Sequence, residues 1–417
     1  MNIQANTKAS NNVSTLSPST LAIVEATVDV VRANGTAITD VFYRNMLSAY
    51  PELQRLFNMP NQASGGQKQA LASAVYAYAA NQNNPEALEP VLNRIAHKHA
   101  SLGITPAQYT IVGKYLLGAV ADVLGDAITP EVAAAWDEVY WQLACDLIAR
   151  EARLYQFQNT QPDANYWRPY QVASVEQETR DVVSVWLEPV DGEPASPFMP
   201  GQYISVALEH EGVHQIRQYS LTALPQKERL KITVKREPGI PAQKIPDGWL
   251  SSRLHAMKPG DQVKVGEAYG DFIDVEPNAP LVLISAGVGI TPMVSLWKQR
   301  TLSPSKEGSS NAKVTFIHGN RSLVDIPLRF QVEQAFPYLK QAELIWYVED
   351  GKTGDFGKEG RLNLAESLPR PDLSARYMLC GPLAFMRTQR EYLLQHGVDP
   401  MSIHYEVFGP DLFAGLD

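Results

Sequence analysis

The sequence predicts three consecutive domains of different class: an all-α domain at residues 17–158, an antiparallel β-barrel at 162–275, and an α/β domain with a parallel sheet at 276–417. The first observation is length, because 417 residues exceed what one ordinary hydrophobic core accommodates. The second is the helical spacing of apolar residues up to about residue 155. The third is the change after that point to short β-rich runs, and then to apolar strands alternating with helices.

The charge balance and the cysteines exclude several classes of function. The chain carries 36 Lys and Arg against 45 Asp and Glu, a net charge of −9, which disfavours a nucleic-acid partner. Its two cysteines, Cys145 and Cys380, form no C-x-x-C pair. This argues against a disulfide framework, a cysteine zinc site and covalent haem attachment, and it is typical of a reducing compartment.

The chain also lacks the sequence marks of a membrane or secreted protein. No run of about 18 apolar residues could span a membrane, and the N-terminal residues lack the apolar core of a signal peptide. Residues 1–16 are rich in Asn, Ser, Thr and Gln, so we predict a disordered N-terminal tail. We expect a cytoplasmic protein, and a monomer.

Helix signals follow one another through the first domain. Ser17 and Pro18 are a cap and a first-turn proline, and Asn34 with Gly35 ends that helix. Helical spacing continues near residues 38–47, 67–78, 88–99, 105–116 and 129–155, with a short helical turn at 50–57. No strand-like alternation interrupts these segments, so we predict that the domain is all-α.

One helical stripe ends in a histidine. Leu88, Leu92 and Ile95 recur at helical spacing, and His99 occupies the last position of that stripe. His97 lies about 200° away around the helix, so we expect it on the polar side. An imidazole at the end of a buried stripe can be a core histidine or a metal ligand, and for a lone histidine the core is the commoner role.

Four further polar residues lie on apolar helix faces: Tyr43, Gln67, Tyr109 and Glu151. Tyr43 could simply pack with its hydroxyl reaching a rim, Gln67 could be solvated, and Tyr109 could be partly exposed. Glu151 is more informative, because it shares the apolar face of the last helix. Burying a carboxylate costs several kcal/mol unless it is hydrogen-bonded. A frayed helix end in water and an inward carboxylate remain equal alternatives at this point.

Together these residues resemble the globin domain of flavohaemoglobins. The resemblance covers residues 17–158 and includes Lys98-His99, Gln108-Tyr109 and Arg150-Glu151. It implies a non-covalent haem b. By resemblance, His99 is the proximal iron ligand, Glu151 and Tyr109 stand behind it, and Lys98 adjusts the charge near the haem. Tyr43 and Gln67 would lie on the distal side and hydrogen-bond O2, and Phe57 and Leu71 would wall the pocket. A carboxylate behind the proximal imidazole favours O2 activation over simple carriage.

The second domain consists of short β-rich runs near residues 170–172, 182–187, 203–208, 230–234 and 262–265, separated by turn signals. It contains a motif formed by Arg217, Gln218, Tyr219, Ser220 and Leu221, preceded by Tyr203. Alone, the motif could be an ordinary strand edge. In this order it resembles the FAD domain of the ferredoxin-reductase superfamily, which implies that residues 217–220 and Tyr203 bind FAD, with Arg217 on the pyrophosphate. Ser251 is a further candidate for the phosphates, and residues 238–248 form a proline-rich insertion.

The third domain opens with an apolar strand at 280–285 and a glycine turn that leads into a helix. Such a turn can bind a phosphate or can be an ordinary turn. With the later strands it resembles the NAD(P) half of the same superfamily. The resemblance implies that the pyrophosphate is bound by Gly287, Val288, Gly289, Ile290, Thr291 and Pro292, and that Cys380, Gly381 and Pro382 lie near the nicotinamide. The C-terminal residues Glu406, Val407, Phe408, Gly409 and Pro410 would lie by the flavin, with Phe408 covering its ring. Arg321 could clamp a 2′-phosphate or be solvated, which leaves NADH or NADPH open.

The flavohaemoglobin resemblance implies an electron path from NAD(P)H through FAD to the haem, where O2 oxidises NO to nitrate and so detoxifies it under nitrosative stress. Two alternatives remain. The same path could reduce alkyl or lipid hydroperoxides if the distal pocket binds a lipid or a hydroperoxide. The haem could instead serve as an O2 or NO sensor, although no signalling or DNA-binding motif is visible.

Overall fold

The computed structural model describes residues 16–56, 66–82, 84–210, 213–239, 247–301 and 312–409. By its internal contacts the chain divides into two compact units. The helical unit comprises the described residues up to Phe157 together with Gly409, and the second unit comprises Gln158–Phe408. No helix in the described ranges is both long enough and apolar enough to cross a membrane.

Among its described residues the helical unit contains α-helices and two short 3-10 turns, at Pro51–Leu56 and Gly125–Ala127. The helices are α1 Pro18–Ala33, α2 Gly35–Ala49, α3 Gly66–Ala80, α4 Pro85–Leu102, α5 Pro106–Leu124 and α6 Pro130–Phe157. They enclose one hydrophobic core. The prediction of an all-α first domain is therefore confirmed.

Local sequence explains where these helices begin and end. The Ser17 side chain accepts a hydrogen bond from the backbone N–H of Thr20 and so caps α1. Helix α4 ends at Gly103, which has a φ of 69°, the left-handed conformation that glycine adopts at little cost. The Gln108 side chain then accepts from the Thr105 N–H at the start of α5.

The first sheet of the second unit is antiparallel, in the order β4-β3-β6-β1-β2-β5. Its strands are β1 Arg168–Thr179, β2 Val182–Pro189, β3 Tyr203–His210, β4 Val213–Ser220, β5 Leu230–Lys235 and β6 Gln262–Tyr269, with α7 Trp249–Ala256 before β6. An antiparallel bridge between Leu221 and Ile232 joins the end of β4 to β5, so the two edge strands meet as a barrel requires. The predicted antiparallel class is confirmed.

The second sheet is parallel throughout, in the order β10-β9-β8-β7-β11-β12. Its strands are β7 Leu281–Ala286, β8 Val314–Asn320, β9 Ala342–Val348, β10 Gly357–Glu359, β11 Arg376–Cys380 and β12 Ile403–Glu406, and its helices are α8 Ile290–Gln299, α9 Arg329–Ala335, α10 Leu364–Ser367 and α11 Leu383–Gln395. The strand order reverses between β7 and β11, and ligands of open α/β sheets bind at such a switch point. This confirms the predicted α/β class.

Some expectations lie partly or wholly outside the described residues. Residues 1–15 of the predicted tail do, as do 240–246 of the proline-rich insertion. Leu16, the last residue assigned to the tail, is 4% exposed and belongs to the helical core. Leu16 therefore belongs to the helical unit, because this apolar side chain packs into its core.

Candidate functional site

His99 lies in the last turn of α4, and two side chains meet its Nδ1 atom. The hydroxyl of Tyr109, on α5, is 2.8 Å away, and Oε1 of Glu151, on α6, is 2.9 Å away. The Tyr109 hydroxyl also donates to the same Glu151 oxygen. Three helices therefore contribute to one hydrogen-bonded cluster, which we call the His99 cluster (His99, Tyr109 and Glu151).

The His99 cluster determines which ring nitrogen is available. A carboxylate only accepts, so the proton between His99 and Glu151 belongs to Nδ1. Nε2 then carries a lone pair, and it has no hydrogen-bond partner in the part of the chain that the structure describes. The His99 side chain is 33% exposed while Glu151 is 2% exposed. An imidazole whose Nδ1 meets a carboxylate and whose Nε2 is free is the donor that a haem iron requires, so these residues fit the group.

The structure decides between the two alternatives for Glu151. Helix α6 continues to Phe157, so Glu151 does not lie at a frayed end, and its carboxylate is buried. Burial and the neighbouring Glu151 carboxylate raise the pKa of Tyr109, which is itself buried. The phenol therefore stays protonated and donates to the acid at any physiological pH.

Tyr140, which the sequence analysis did not single out, supports this cluster from behind. Its hydroxyl donates to the backbone oxygen of Tyr109 at 2.5 Å. Its ring packs against Gly113 so closely that a Cβ there would lie 2.5 Å from the ring. On α6 Tyr140 shares the spacing of ordinary core residues, so the sequence pattern contained no signal for this role.

His97 shares the polar side of α4 with Asn93, but this side is not open to solvent. His97 is half-buried, and burial lowers its pKa to about 4. Asn93, one turn earlier on the same face of α4, accepts a hydrogen bond from Arg150 of α6. A neighbouring helix covers this face, so the polar residues on it pair with that helix instead of water.

The proposed distal residues are described only in part. Tyr43, on α2, is 5% exposed, and burial raises its pKa, so the hydroxyl remains a donor. Leu71, on α3, is half-buried and packs against the same core as Tyr43. The side chain of Gln67 and the whole of Phe57 lie outside the described residues. Lys98 is half-buried beside His99 in sequence.

Strand pairing brings the proposed FAD residues together. In the β3–β4 ladder Tyr203 lies opposite Ser220, and Val206 opposite Arg217. The Gln218 amide donates to Ser205 of β3 at 3.0 Å. Burial lowers the pKa of the Arg217 guanidinium, and an anion beside it would offset the cost of desolvating that charge. Burial likewise raises the pKa of Tyr219 and keeps the phenol neutral. This site fits a flavin dinucleotide.

The glycine turn and the Cys380 motif meet at the switch point of the parallel sheet. Gly287 has a φ of 56°, a left-handed conformation that favours glycine. A Cβ at Gly289 would lie 2.3 Å from the carbonyl oxygen of Cys380, so only glycine allows this approach. Thr291 donates to the Val288 carbonyl at 2.9 Å and stabilises the turn. The turn leads into α8, whose N-terminal amides suit a pyrophosphate.

Cys380 and the C-terminal residues lie at the same edge of the sheet. Glu406, the last residue of β12, is the register partner of Cys380, the last of β11. Cys380 is fully buried, and burial raises its pKa, so the thiol stays protonated. Val407 and Phe408 follow β12, and Phe408 is 48% exposed. Gly409 is the last described residue, and Pro410 lies outside the described part. Gly381 and Pro382 connect β11 to α11.

Two secondary candidates, Ser251 and Arg321, remain predictions. The Ser251 hydroxyl donates to the Gly248 carbonyl at 2.9 Å and accepts from the Glu237 N–H at 3.2 Å. Arg321 is exposed at the end of β8, where its carbonyl accepts from the Asp350 N–H. The choice between NADH and NADPH therefore stays open.

Comparison with known proteins agrees with the three predicted domain classes. Family models match as a globin at residues 40–147, an oxidoreductase FAD-binding domain at 169–273 and an oxidoreductase NAD-binding domain at 283–391. A flavohemoprotein of Rhizobium meliloti is 44% identical over 412 residues, which cover 96% of this chain and 100% of that protein. The chain belongs to the flavohemoproteins. A second flavohemoprotein, from Chromobacterium violaceum, is 42% identical over 94% of this chain and 98% of its own length.

Solved structures of flavohemoproteins support the same membership. A flavohemoglobin of Malassezia yamatoensis, crystallised with bound FAD and heme, superposes with a TM-score of 0.84 at 34% identity, covering 94% of this chain and 100% of that one. The FAD/NAD-binding domain of a nitric oxide dioxygenase from Vibrio cholerae matches 58% of this chain and 99% of its own, with a TM-score of 0.50 at 35% identity. As a flavohemoprotein with these three domains, the chain is an NAD(P)H-dependent oxidoreductase whose cofactors are haem and FAD.

Proposed function

We propose that this flavohemoprotein is a nitric oxide dioxygenase that removes NO in the cytoplasm. The observation that supports this most directly is the His99 cluster, in which a buried carboxylate holds the Nδ1 proton of the only residue proposed to ligate iron. When bound, the haem would supply the iron for oxidation of NO by O2 to nitrate, and FAD would supply the single electrons drawn from NAD(P)H.

The acid behind His99 is the feature that separates this proposal from oxygen carriage. Glu151 draws the Nδ1 proton towards itself, so the imidazole becomes a stronger electron donor through Nε2. Tyr109 adds a second acceptor at 2.8 Å and restricts rotation of the ring. These residues would favour O2 activation over oxygen carriage, because they would make His99 a stronger electron donor to a bound iron.

On the other side of the proposed haem, Tyr43 would supply a hydrogen bond. Burial raises the pKa of its phenol, so Tyr43 donates and does not become an anion. We propose that Gln67 donates beside it and that Leu71 and Phe57 exclude water from this side. Lys98 would add positive charge near the haem edge.

We call the second unit, Gln158–Phe408, the reductase unit. There we propose that Arg217 neutralises the FAD pyrophosphate, while Tyr203, Gln218, Tyr219 and Ser220 hold the flavin. The turn at residues 287–292 would bind the nicotinamide dinucleotide through backbone amides. Cys380, Gly381 and Pro382 would face the nicotinamide. Glu406, Val407 and Phe408, with Gly409 and Pro410 after them, would line the flavin.

The experiment measures NO consumption by the purified, haem- and FAD-loaded protein under air. With NADH or NADPH present, we expect many NO molecules to be consumed per protein and nitrate to accumulate, at two NO per nucleotide oxidised. Glu151→Gln should lower this turnover, while Glu131→Gln, an exposed position in the first turn of the same helix, should leave it unchanged.

Two results would contradict the proposal. Binding of a single NO without nucleotide oxidation would indicate a gas sensor. Nucleotide-dependent reduction of an alkyl or lipid hydroperoxide, without NO consumption, would indicate a peroxide reductase.

A further inference from the structure

Glu178 connects the two sheets of the reductase unit. It lies near the end of β1 in the antiparallel sheet, and its side chain is 13% exposed. Within that sheet it accepts from the Ser184 hydroxyl at 2.6 Å and lies 3.5 Å from the Lys231 ammonium. The same carboxylate also accepts from the parallel-sheet domain, from the Leu328 N–H at 3.2 Å and the Gln331 amide at 3.4 Å.

The segment that Glu178 contacts has an unusual backbone. Leu328 has a φ of 59°, a left-handed conformation that a branched side chain rarely adopts. Its side chain is 2% exposed in the core of the parallel-sheet domain, and its N–H faces Glu178. Such a conformation persists only where the surroundings impose it, and Glu178 is one of the groups that do so.

From this segment the contacts continue to the helix that carries the glycine turn. Gln331 accepts a hydrogen bond from Lys298 at 2.5 Å, and the Trp297 indole donates to the Val332 carbonyl at 3.1 Å. Lys298 and Trp297 both belong to α8, which begins immediately after Gly287–Gly289. Glu178 is therefore linked to the C-terminal end of the helix whose N-terminus follows the glycine turn.

A second contact holds α8 to the antiparallel sheet. Ser295, between the glycine turn and Lys298, accepts from the Gly201 N–H at 3.0 Å. Gly201 lies two residues before Tyr203, a proposed FAD residue. Helix α8 is thus joined to the flavin-binding sheet at two places, one direct and one through Gln331 and Glu178.

We propose that Glu178 is a positioning residue that sets the distance between the nicotinamide and the flavin. Hydride transfer requires the reacting carbon and nitrogen to approach to about 3–3.5 Å, and a displacement of about 1 Å can lower such a rate about 100-fold. The contacts through Glu178 fix the position of the parallel-sheet domain relative to the antiparallel sheet. This position would determine how closely the nicotinamide approaches the flavin. This role concerns NAD(P)H oxidation by the reductase unit, so it is independent of whether NO is the final substrate.

The sharpest variant is Glu178→Gln. Every partner of Glu178 among the described residues is a donor: a hydroxyl, an ammonium, a backbone N–H and an amide. A glutamine of the same shape would turn an N–H₂ group towards one of these donors, and the contact would open. Glu176→Gln is the matched control. Glu176 is on the same strand and bonds Lys231 at 2.8 Å and Trp186 at 3.0 Å, both within the antiparallel sheet.

The experiment measures flavin reduction by NADH and NADPH in an anaerobic stopped-flow instrument, using full-length protein with equal FAD content. We expect the limiting rate constant in Glu178→Gln to fall about tenfold or more, with the nucleotide concentration at half-maximal rate changed less than about twofold. Glu176→Gln should stay within about twofold of the parent. Hydrogen exchange of backbone amides at residues 326–332, measured without nucleotide, should rise only in Glu178→Gln.

Three results would overturn the proposal: a parental rate constant in Glu178→Gln, equal losses in both variants, or unchanged amide exchange. Should Glu178→Gln fail to fold, Gln331→Leu, at a half-buried position, removes one of the two contacts that join Glu178 to the parallel-sheet domain. It must then slow flavin reduction at unchanged FAD content, and a parental rate would equally refute the proposal.

Discussion

Two histidines, one in each unit, have hydrogen-bond partners at Nδ1 but differ in how far their rings are buried. Nδ1 of His99 meets Tyr109 and Glu151, and Nδ1 of His318, on β8, lies 2.9 Å from the Ser285 hydroxyl. In neither ring does Nε2 have a hydrogen-bond partner within the described ranges. The His99 side chain is 33% exposed, whereas His318 is fully buried against the edge of Trp346.

The difference shows what makes an imidazole a ligand. Burial lowers the pKa of His318 to about 3, so it is a neutral core side chain whose second nitrogen meets no acid and no open space. His99 has a carboxylate behind it and an accessible Nε2 in front. A free ring nitrogen therefore points to a metal only where the opposite nitrogen is held by an acid and the ring is accessible.

The largest expected effect separates the two histidines directly. We expect His99→Ala to lose the Soret band of the haem and all NO consumption, because no other residue is proposed to hold the iron. His318→Gln should keep the Soret band, since that ring lies in the core of the reductase unit. The absorption spectrum and haem content of both purified variants test this, and a normal spectrum in His99→Ala would refute the assignment.

The next prediction concerns the acid behind His99. Glu151→Gln preserves shape but removes the charge that holds the Nδ1 proton, and we expect haem reduction by NAD(P)H to slow about 10- to 100-fold. Haem content should remain close to the parent, because Nε2 is untouched. Stopped-flow reduction of the haem measures the rate, and an unchanged rate would show that the carboxylate is only structural.

The pH dependence of stability tests the character of His318. Its pKa is about 3 in the folded protein and about 6.5 when unfolded, so the unfolded chain binds the proton first as the pH falls. The stability of the reductase unit should therefore be unaffected by this group above pH 6.5 and should drop below it, by about 2–3 kcal/mol at pH 4.5. In His318→Gln the slope between pH 6.5 and 4.5 should flatten. Urea titrations across this range measure it, and parallel slopes would contradict the prediction.

The smallest effect tests how rigidly the His99 cluster is supported. In Gly113→Ala the new Cβ would displace the Tyr140 ring, which we expect to lower the free energy of unfolding by about 1–3 kcal/mol and to shift the haem spectrum. Gly118→Ala, on the same helix with nothing within 4 Å of the new Cβ, should instead stabilise by about 0.5–1 kcal/mol. Thermal unfolding and haem absorption spectra of both variants test this. Equal changes in stability and spectrum would show that Tyr140 does not support the His99 cluster.

Much of the fold could be predicted because its signals are local. The cap at Ser17, the continuous apolar strand before Gly287 and the change from helical to alternating spacing after Tyr155 depend on neighbours within a few residues. Tyr140 and Glu178 gave no such signal, since a tyrosine at core spacing and a glutamate on a strand have many common roles. The distal residues Gln67 and Phe57 remain predictions.

The sequence alone therefore determined the order of the three domains and their classes, because periodicity and capping are properties of adjacent residues, while the candidate ligand His99 came from the resemblance to flavohaemoglobins. Tertiary structure decided that Glu151 turns inward onto His99, that the face bearing His97 is covered, and that Gly289 touches Cys380. These contacts join residues far apart in the chain. Their energies depend on desolvation and on the exact approach of elements, which no local pattern encodes.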